Sequence, residues 1–213
     1  MINFREAAKQ QMDKTGPFIH DYPWENREAY AIWLGQTFYM VNHSTRLVAL
    51  AGAYAPIERS FLHERFVDHS KEERGHQLIA ISDLKALGYQ PSDIPALAPS
   101  QAMYQVQYYW IQHLNAASFF GYTLALEAIA EYYGPEIHKR VHDAHGPQSA
   151  KFIKLHSEAD VGHLDEAFRN MDKLNQDEAK LAMENLDLSS DLYREVLIKS
   201  KELAETKSIR RAV

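Results

Sequence analysis

The chain has 213 residues, 46% of them apolar and 24% charged, with 11 His, no Cys and a formal net charge of −6 from 29 Asp and Glu against 23 Lys and Arg. That is enough chain for one domain with a sizeable core, and the lack of Cys excludes disulfides, thiolate nucleophiles, Cys-ligated zinc and Cys-bound iron–sulfur clusters. The acidic balance offers no sequence-wide attraction to nucleic acid or an anionic membrane, so neither is expected as a partner.

The stretch from Met1 to Lys14 carries charges throughout and lacks the apolar core of a signal peptide, which points to a cytoplasmic protein. Its periodicity predicts a first helix from about Asn3 to Lys14, ahead of Gly16-Pro17. One or two helices follow from Trp24 through Ala53. A long helical region then runs from Pro56 to Leu87 and stops at Gly88. Ser100 suits the N-cap of a fourth helix reaching Tyr133, where Gly134-Pro135 ends it. The uncharged run from Ile94 to Leu126 carries Gln101, Gln105, Gln107, Gln112, His113 and Asn115, too polar for lipid, and reads as a buried helix. Pro135 to His145 forms a short helix, Pro147 opens another through about Leu174, and the last spans Asp177 to Lys207 before a charged tail. No linker, low-complexity tract or repeat intervenes, so the expectation is a single all-α domain over residues 1–213, a bundle of about seven helices.

Three of these helices carry carboxylates and imidazoles in register. Glu73 and His76 stand at i,i+3, with Glu72 at i−4 from the same His. His156, Asp160 and His163 follow spacings of four and three, about two turns, so their side chains share a face. Glu127 sits among apolar neighbours in LALEAIAEYYG. A dinuclear iron or manganese site in a helical bundle uses a Glu from each of two helices and a Glu-x-x-His from each of the other two. Glu73-x-x-His76 and Asp160-x-x-His163 match the second element and Glu127 one of the first. The other single carboxylate is not evident, and His156 is placed to supply a sixth ligand.

Each element alone has a plainer explanation. Glu-rich surface helices generate Glu-x-x-His by chance, and Glu127 alone could pair with an Arg. Jointly they favour a metal, because burying three carboxylates without cations is very costly. His69, seven residues before His76, lies on its face as a supporting donor or alternative ligand. His138, His142 and His145 share a helix with Lys139, Arg140 and Asp143 and read as a solvated face. Glu158 points away from the partners of Asp160, and Glu131 is a reserve for Glu127. Tyr104, Tyr108, Tyr109 and Trp110, like Phe119, Phe120 and Tyr122, read as core packing, although the second group lies within two turns of Glu127 and could line a pocket.

At EERGHQLIAISDLKALG, LALEAIAEYYGPEI and LHSEADVGHLDEAF the sequence resembles the haem-oxygenase-like di-iron oxidases, relatives of the TenA and pyrroloquinoline-quinone-synthase folds, and most closely their CADD-like branch. The resemblance spans roughly Tyr39 to Leu174, and His-x3-Asp-x2-His is its most specific part. It implies a haem-oxygenase-like, TenA-like helical bundle with iron ligands at His76, Glu127, His156, Asp160 and His163 plus Glu73 or Glu72. Helix geometry favours Glu73. It further implies an enzyme that activates O2 at two irons to oxidise a small organic substrate, with electrons from a partner or the substrate. Manganese suits the same ligands. The thiaminase branch needs a Cys nucleophile, which this chain lacks. His20 and His43 are the only candidates for a haem-oxygenase proximal ligand, and neither sits in a supporting pattern. The rival expectations are a metal-free or inactive helical binding protein and a cofactor-free oxidase. The aromatic content of the helices suggests a homodimer.

Overall fold

Nine α-helical segments and four short 3-10 turns, with no strand, make up the described part of this computed structural model, which covers residues 2–159 and 163–206, with the backbone alone for 158, 159 and 163. Asn3 opens α1 (Phe4–Asp21) by accepting from the Glu6 amide, and Asn26 opens α2 (Arg27–Tyr54) by accepting from Glu28 and Ala29. α1 does not end before Gly16-Pro17 but continues through Pro17. A proline inside a helix forfeits a hydrogen bond and costs about 3 kcal/mol. Here packing offsets that cost: the Tyr133 hydroxyl donates to Met12 O on one side of the proline, and Trp24 Nε1 donates to Ile19 O on the other, both at 2.8 Å. α2 is one helix, buried on every side from Ala29 to Thr37.

The region expected as a single helix from Pro56 to Leu87 divides into α3 (Ser60–Glu72) and α4 (His76–Ala86). Glu73 caps α3, and Gly75, at φ +96°, turns the chain into α4 at His76. Only glycine adopts that φ without strain. The Glu73-x-x-His76 pair therefore spans a break between two helices instead of sharing one helical face.

The next expected helix also divides, at Leu114 to Ser118, into α5 (Ala98–His113) and α6 (Phe119–His145). Ser100 lies inside α5, whose start is held instead by Gln36 Oε1 accepting from Leu97 N at 2.9 Å. Asn115 Oδ1 accepts from Ala117 N at 2.8 Å, the capping chemistry that restarts the helix. α6 then passes through Gly134-Pro135, so no separate helix begins there. The region expected as one helix from Pro147 to about Leu174 opens as a 3-10 turn (Pro147–Ser149) and is helical in α7 (Lys151–Ala159) and α8 (His163–Met171), residues 160–162 lying outside the described residues, and α9 (Gln176–Thr206) completes the described chain. The divisions at Gly75 and at Leu114 to Ser118 each add a helix to the expected set, and the continuation of α6 through Gly134-Pro135 removes one.

α6 and α9 pack along each other; α2 meets α3, α4, α5 and α9, while α1, α7 and α8 cover α6. Gly121 permits the α6–α9 approach, since a Cβ there would stand 2.1 Å from Ala182 O and 2.5 Å from Leu186 N. Nearby, the buried Asn185 amide donates to Gln107 Oε1 at 2.7 Å and to Ser118 O at 3.0 Å, tying α9 to α5 and to the start of α6. No helix among the described residues is long and apolar enough to cross a membrane.

Candidate metal centre and ligand cavity

Helices α2, α3, α4, α6, α7 and α9 contribute walls to one cavity of about 340 Å³. Its α2 wall is a stripe of residues three and four apart, from Trp33 through Thr37, Met40 and Val41 to Ser44 and Val48. His69, Glu72, Glu73, His76, Glu127 and His156 also line it.

Glu73 stands between two imidazoles: Oε1 lies 3.6 Å from His69 Nε2 and Oε2 lies 3.4 Å from His76 Nδ1. His69 Nε2 is also 3.8 Å from Glu127 Oε1, so one buried His faces the carboxylates of two helices. Burial alone would raise the Glu73 carboxyl, but the two imidazoles outweigh it and hold Glu73 well below the usual carboxylate range. Burial would lower His69, yet Glu73 and Glu127 together hold it above its ordinary value. The ring of His156 meets that of His76 edge-on, with centroids 4.9 Å apart. His156 Nδ1 lies 2.8 Å from Phe152 O; donation there makes Nε2 the nitrogen that can take a metal. The N-terminal turn of α7 is in turn held by Asp83 of α4, which is fully buried and whose Oδ2 accepts from Phe152 N at 2.8 Å. Burial pushes the Asp83 carboxyl up to about 6.

Glu72 turns instead toward Arg65, 3.3 Å away, and its side chain is 40% exposed against 18% for Glu73. Asp160 and the side chain of His163 lie outside the described residues, as does that of Glu158. Glu131 is exposed. The His138–His142–His145 stripe is not a uniformly solvated face: His145 is half-buried, stacks on Tyr30 with centroids 5.4 Å apart and bonds Trp24 O through Nε2 at 2.8 Å. Phe119 and Tyr122 line the cavity, whereas Phe120 packs on Phe66 in the core. His20 and His43 do not line it; His20 pairs with Glu136 and His43 with Tyr108.

Among the described residues no group of three His, Asp or Glu side chains stands ready-made around one point. The donor chemistry nonetheless fits divalent iron or manganese. Two ligands about 2.1 Å from a shared ion at tetrahedral or octahedral angles stand about 3.0–3.4 Å apart, close to the contacts Glu73 makes with His69 and His76. His76 Nδ1 is buried without a hydrogen bond of good geometry, and no Lys or Arg among the described residues lines the cavity beside Glu73. His69 is the donor to which spacing gave a minor place. Its signal was the i,i+4 relation to Glu73, hidden behind the more obvious Glu73-x-x-His76.

The whole chain superposes on a domain of unknown function with a heme oxygenase-like fold from Shewanella denitrificans, with a TM-score of 0.86 at 21% identity and 100% of both chains covered. A TenA homolog from Pseudomonas syringae pathovar tomato matches with a TM-score of 0.75 at 12% identity, over 92% of this chain and 93% of the other. The fold is thus heme oxygenase-like and TenA-like. A comparison with curated proteins returns no match. The sequence pattern of one family covers residues 31–192, from the cavity wall on α2 through both carboxylate helices to α9, and by that match the chain belongs to the iron-containing redox enzymes.

Proposed function

We propose that this chain is a non-haem oxidase or oxygenase that uses O2 and a pair of iron ions to oxidise a small organic substrate. The observation that carries the reading is Glu73 flanked by His69 and His76, with Glu127 against the same His69, all facing a largely apolar cavity. Glu73, His76, Glu127 and His156 are the proposed ligands, joined by Asp160 and His163 on the strength of the family resemblance, with His69 as a further donor. When bound, the ions supply the one-electron chemistry that organic side chains lack. The chain's own residues do the rest. Glu73 and Glu127 bring the negative charge, Phe152 O orients His156, and the apolar walls limit water around the reacting substrate. Electrons come from an external donor or the substrate, since the sequence shows no flavin or nicotinamide motif.

The experiment is anaerobic Fe(II) loading followed by elemental analysis and O2 uptake with a chemical reductant. The reading expects about two irons per chain, reduced to about one or less by Glu127→Ala or His156→Ala. Binding of less than one iron that neither substitution changes would overturn it and leave a metal-free binding protein of the same fold.

A further inference from the structure

Gly134-Pro135 does not end α6, so the glycine there needs another explanation. Within a helix only proline is less favourable than glycine, and Gly134 is not among the glycines at positive φ, so the backbone makes no demand for it. What the glycine does is admit α7. A Cβ at Gly134 would stand 3.0 Å from Ser157 Cβ, tighter than side chains pack, so α7 would have to retreat by a few tenths of an ångström. Ser157 follows His156 in the chain, and Gly134 and His156 both line the cavity. Glu127 stands on the same face of α6, about two turns before Gly134, and lines the cavity as well. α7 is also tied to α4, through the Asp83 bond to Phe152 N and through the His156 ring against that of His76. The contact of Gly134 with Ser157 therefore joins the helices of two proposed ligands, Glu127 and His156.

We propose that Gly134 is a positioning residue for the metal centre: by lacking a side chain it sets how closely α7 lies on α6, and with that the separation of His156 from Glu127. The inference rests on the iron site of the oxidase reading above. Packed helices settle at spacings from about 8 to 10 Å according to the side chains between them. Metal–ligand distances hold to within about 0.2 Å. A retreat of α7 too small to unfold the bundle is thus large enough to weaken a bond to His156.

The test compares the unaltered protein with Gly134→Ala, Ser157→Gly and the double variant, by melting of the metal-free chains and by anaerobic Fe(II) titration. Metal-free Gly134→Ala is expected to melt within about 3 °C of the unaltered protein, because the better helix propensity of alanine offsets the tight contact. Its Fe(II) affinity falls about tenfold, the loss typical when a residue that supports a ligand is changed. The double variant recovers to within about threefold of Ser157→Gly alone, since the Cβ that the alanine meets is gone. Three results overturn the proposal: Gly134→Ala binding iron as tightly as the unaltered protein, an equal loss in the double variant, or a Gly134→Ala chain that loses its fold along with its metal, which would make the glycine a packing residue only. Less than one iron bound by the unaltered protein overturns the oxidase reading and this inference with it, whereas two irons held equally well by all four chains overturn the inference alone.

Discussion

Asp83 on α4 accepts a 2.8 Å hydrogen bond from the Phe152 amide at the start of α7, while Phe152 O lies 2.8 Å from His156 Nδ1. The helix that begins with His76 thus fixes the position of the helix that carries His156. Asp83→Ala removes the acceptor and leaves a buried amide unpaired, which is expected to lower stability by about 2 kcal/mol in urea denaturation. It also weakens Fe(II) affinity by loosening His156, whereas Asp83→Asn, which keeps an acceptor, retains most of that affinity.

The same pair of variants has a pH signature. The Asp83 carboxyl, ordinarily near 3.8, is pushed up to about 6 in the folded chain by burial. Between those values the folded chain keeps a proton that the unfolded chain has released, so this group's contribution to stability falls as pH rises from about 4 to 6. The stability of the unaltered protein relative to Asp83→Asn should therefore decline across that window and level off above it, measured by denaturant midpoints at a series of pH values. A relative stability that climbs with pH there would contradict the assignment.

Gly121→Ala should destabilise the fold, because a methyl group 2.1 Å from Ala182 O and 2.5 Å from Leu186 N meets backbone that cannot swing aside. Forcing α6 and α9 apart is expected to cost about 3 kcal/mol or to prevent folding. A melting temperature unchanged by the substitution would count against this packing.

At Gly75 the cost is conformational, since a Cβ meets nothing within 4 Å but φ is +96°. Gly75→Ala should cost about 1–2 kcal/mol in stability. Its more telling effect is on Fe(II) titration: the turn sets His76 against Glu73, so metal affinity should fall even where the variant remains fully folded by circular dichroism.

The all-α class, the approximate bounds of α2 and the start of α9 could be read from periodicity because those helices are long, and Asn26 and Asn175 cap their first turns. The breaks were less legible. Gly134-Pro135 carries the standard stop signal, yet α6 runs through it because packing against α1, α7 and α9 outweighs local propensity. The division at Leu114 to Ser118 has neither Gly nor Pro, and its only local mark is Asn115, a capping residue in an apolar stretch. Glu73 and His76 do come together, but through a glycine turn and not the helical spacing that first associated them.

Trp33 lines the cavity, while its indole N–H is held by Tyr193 at 3.1 Å and its ring lies 5.2 Å from that of Trp24. Of the 3 Trp residues it alone is part of the cavity wall. The protein therefore carries a built-in optical sensor: a molecule entering the cavity changes the surroundings of one indole, so occupancy can be followed as a shift or quench of intrinsic emission that Trp33→Phe silences, without a label or a turnover assay.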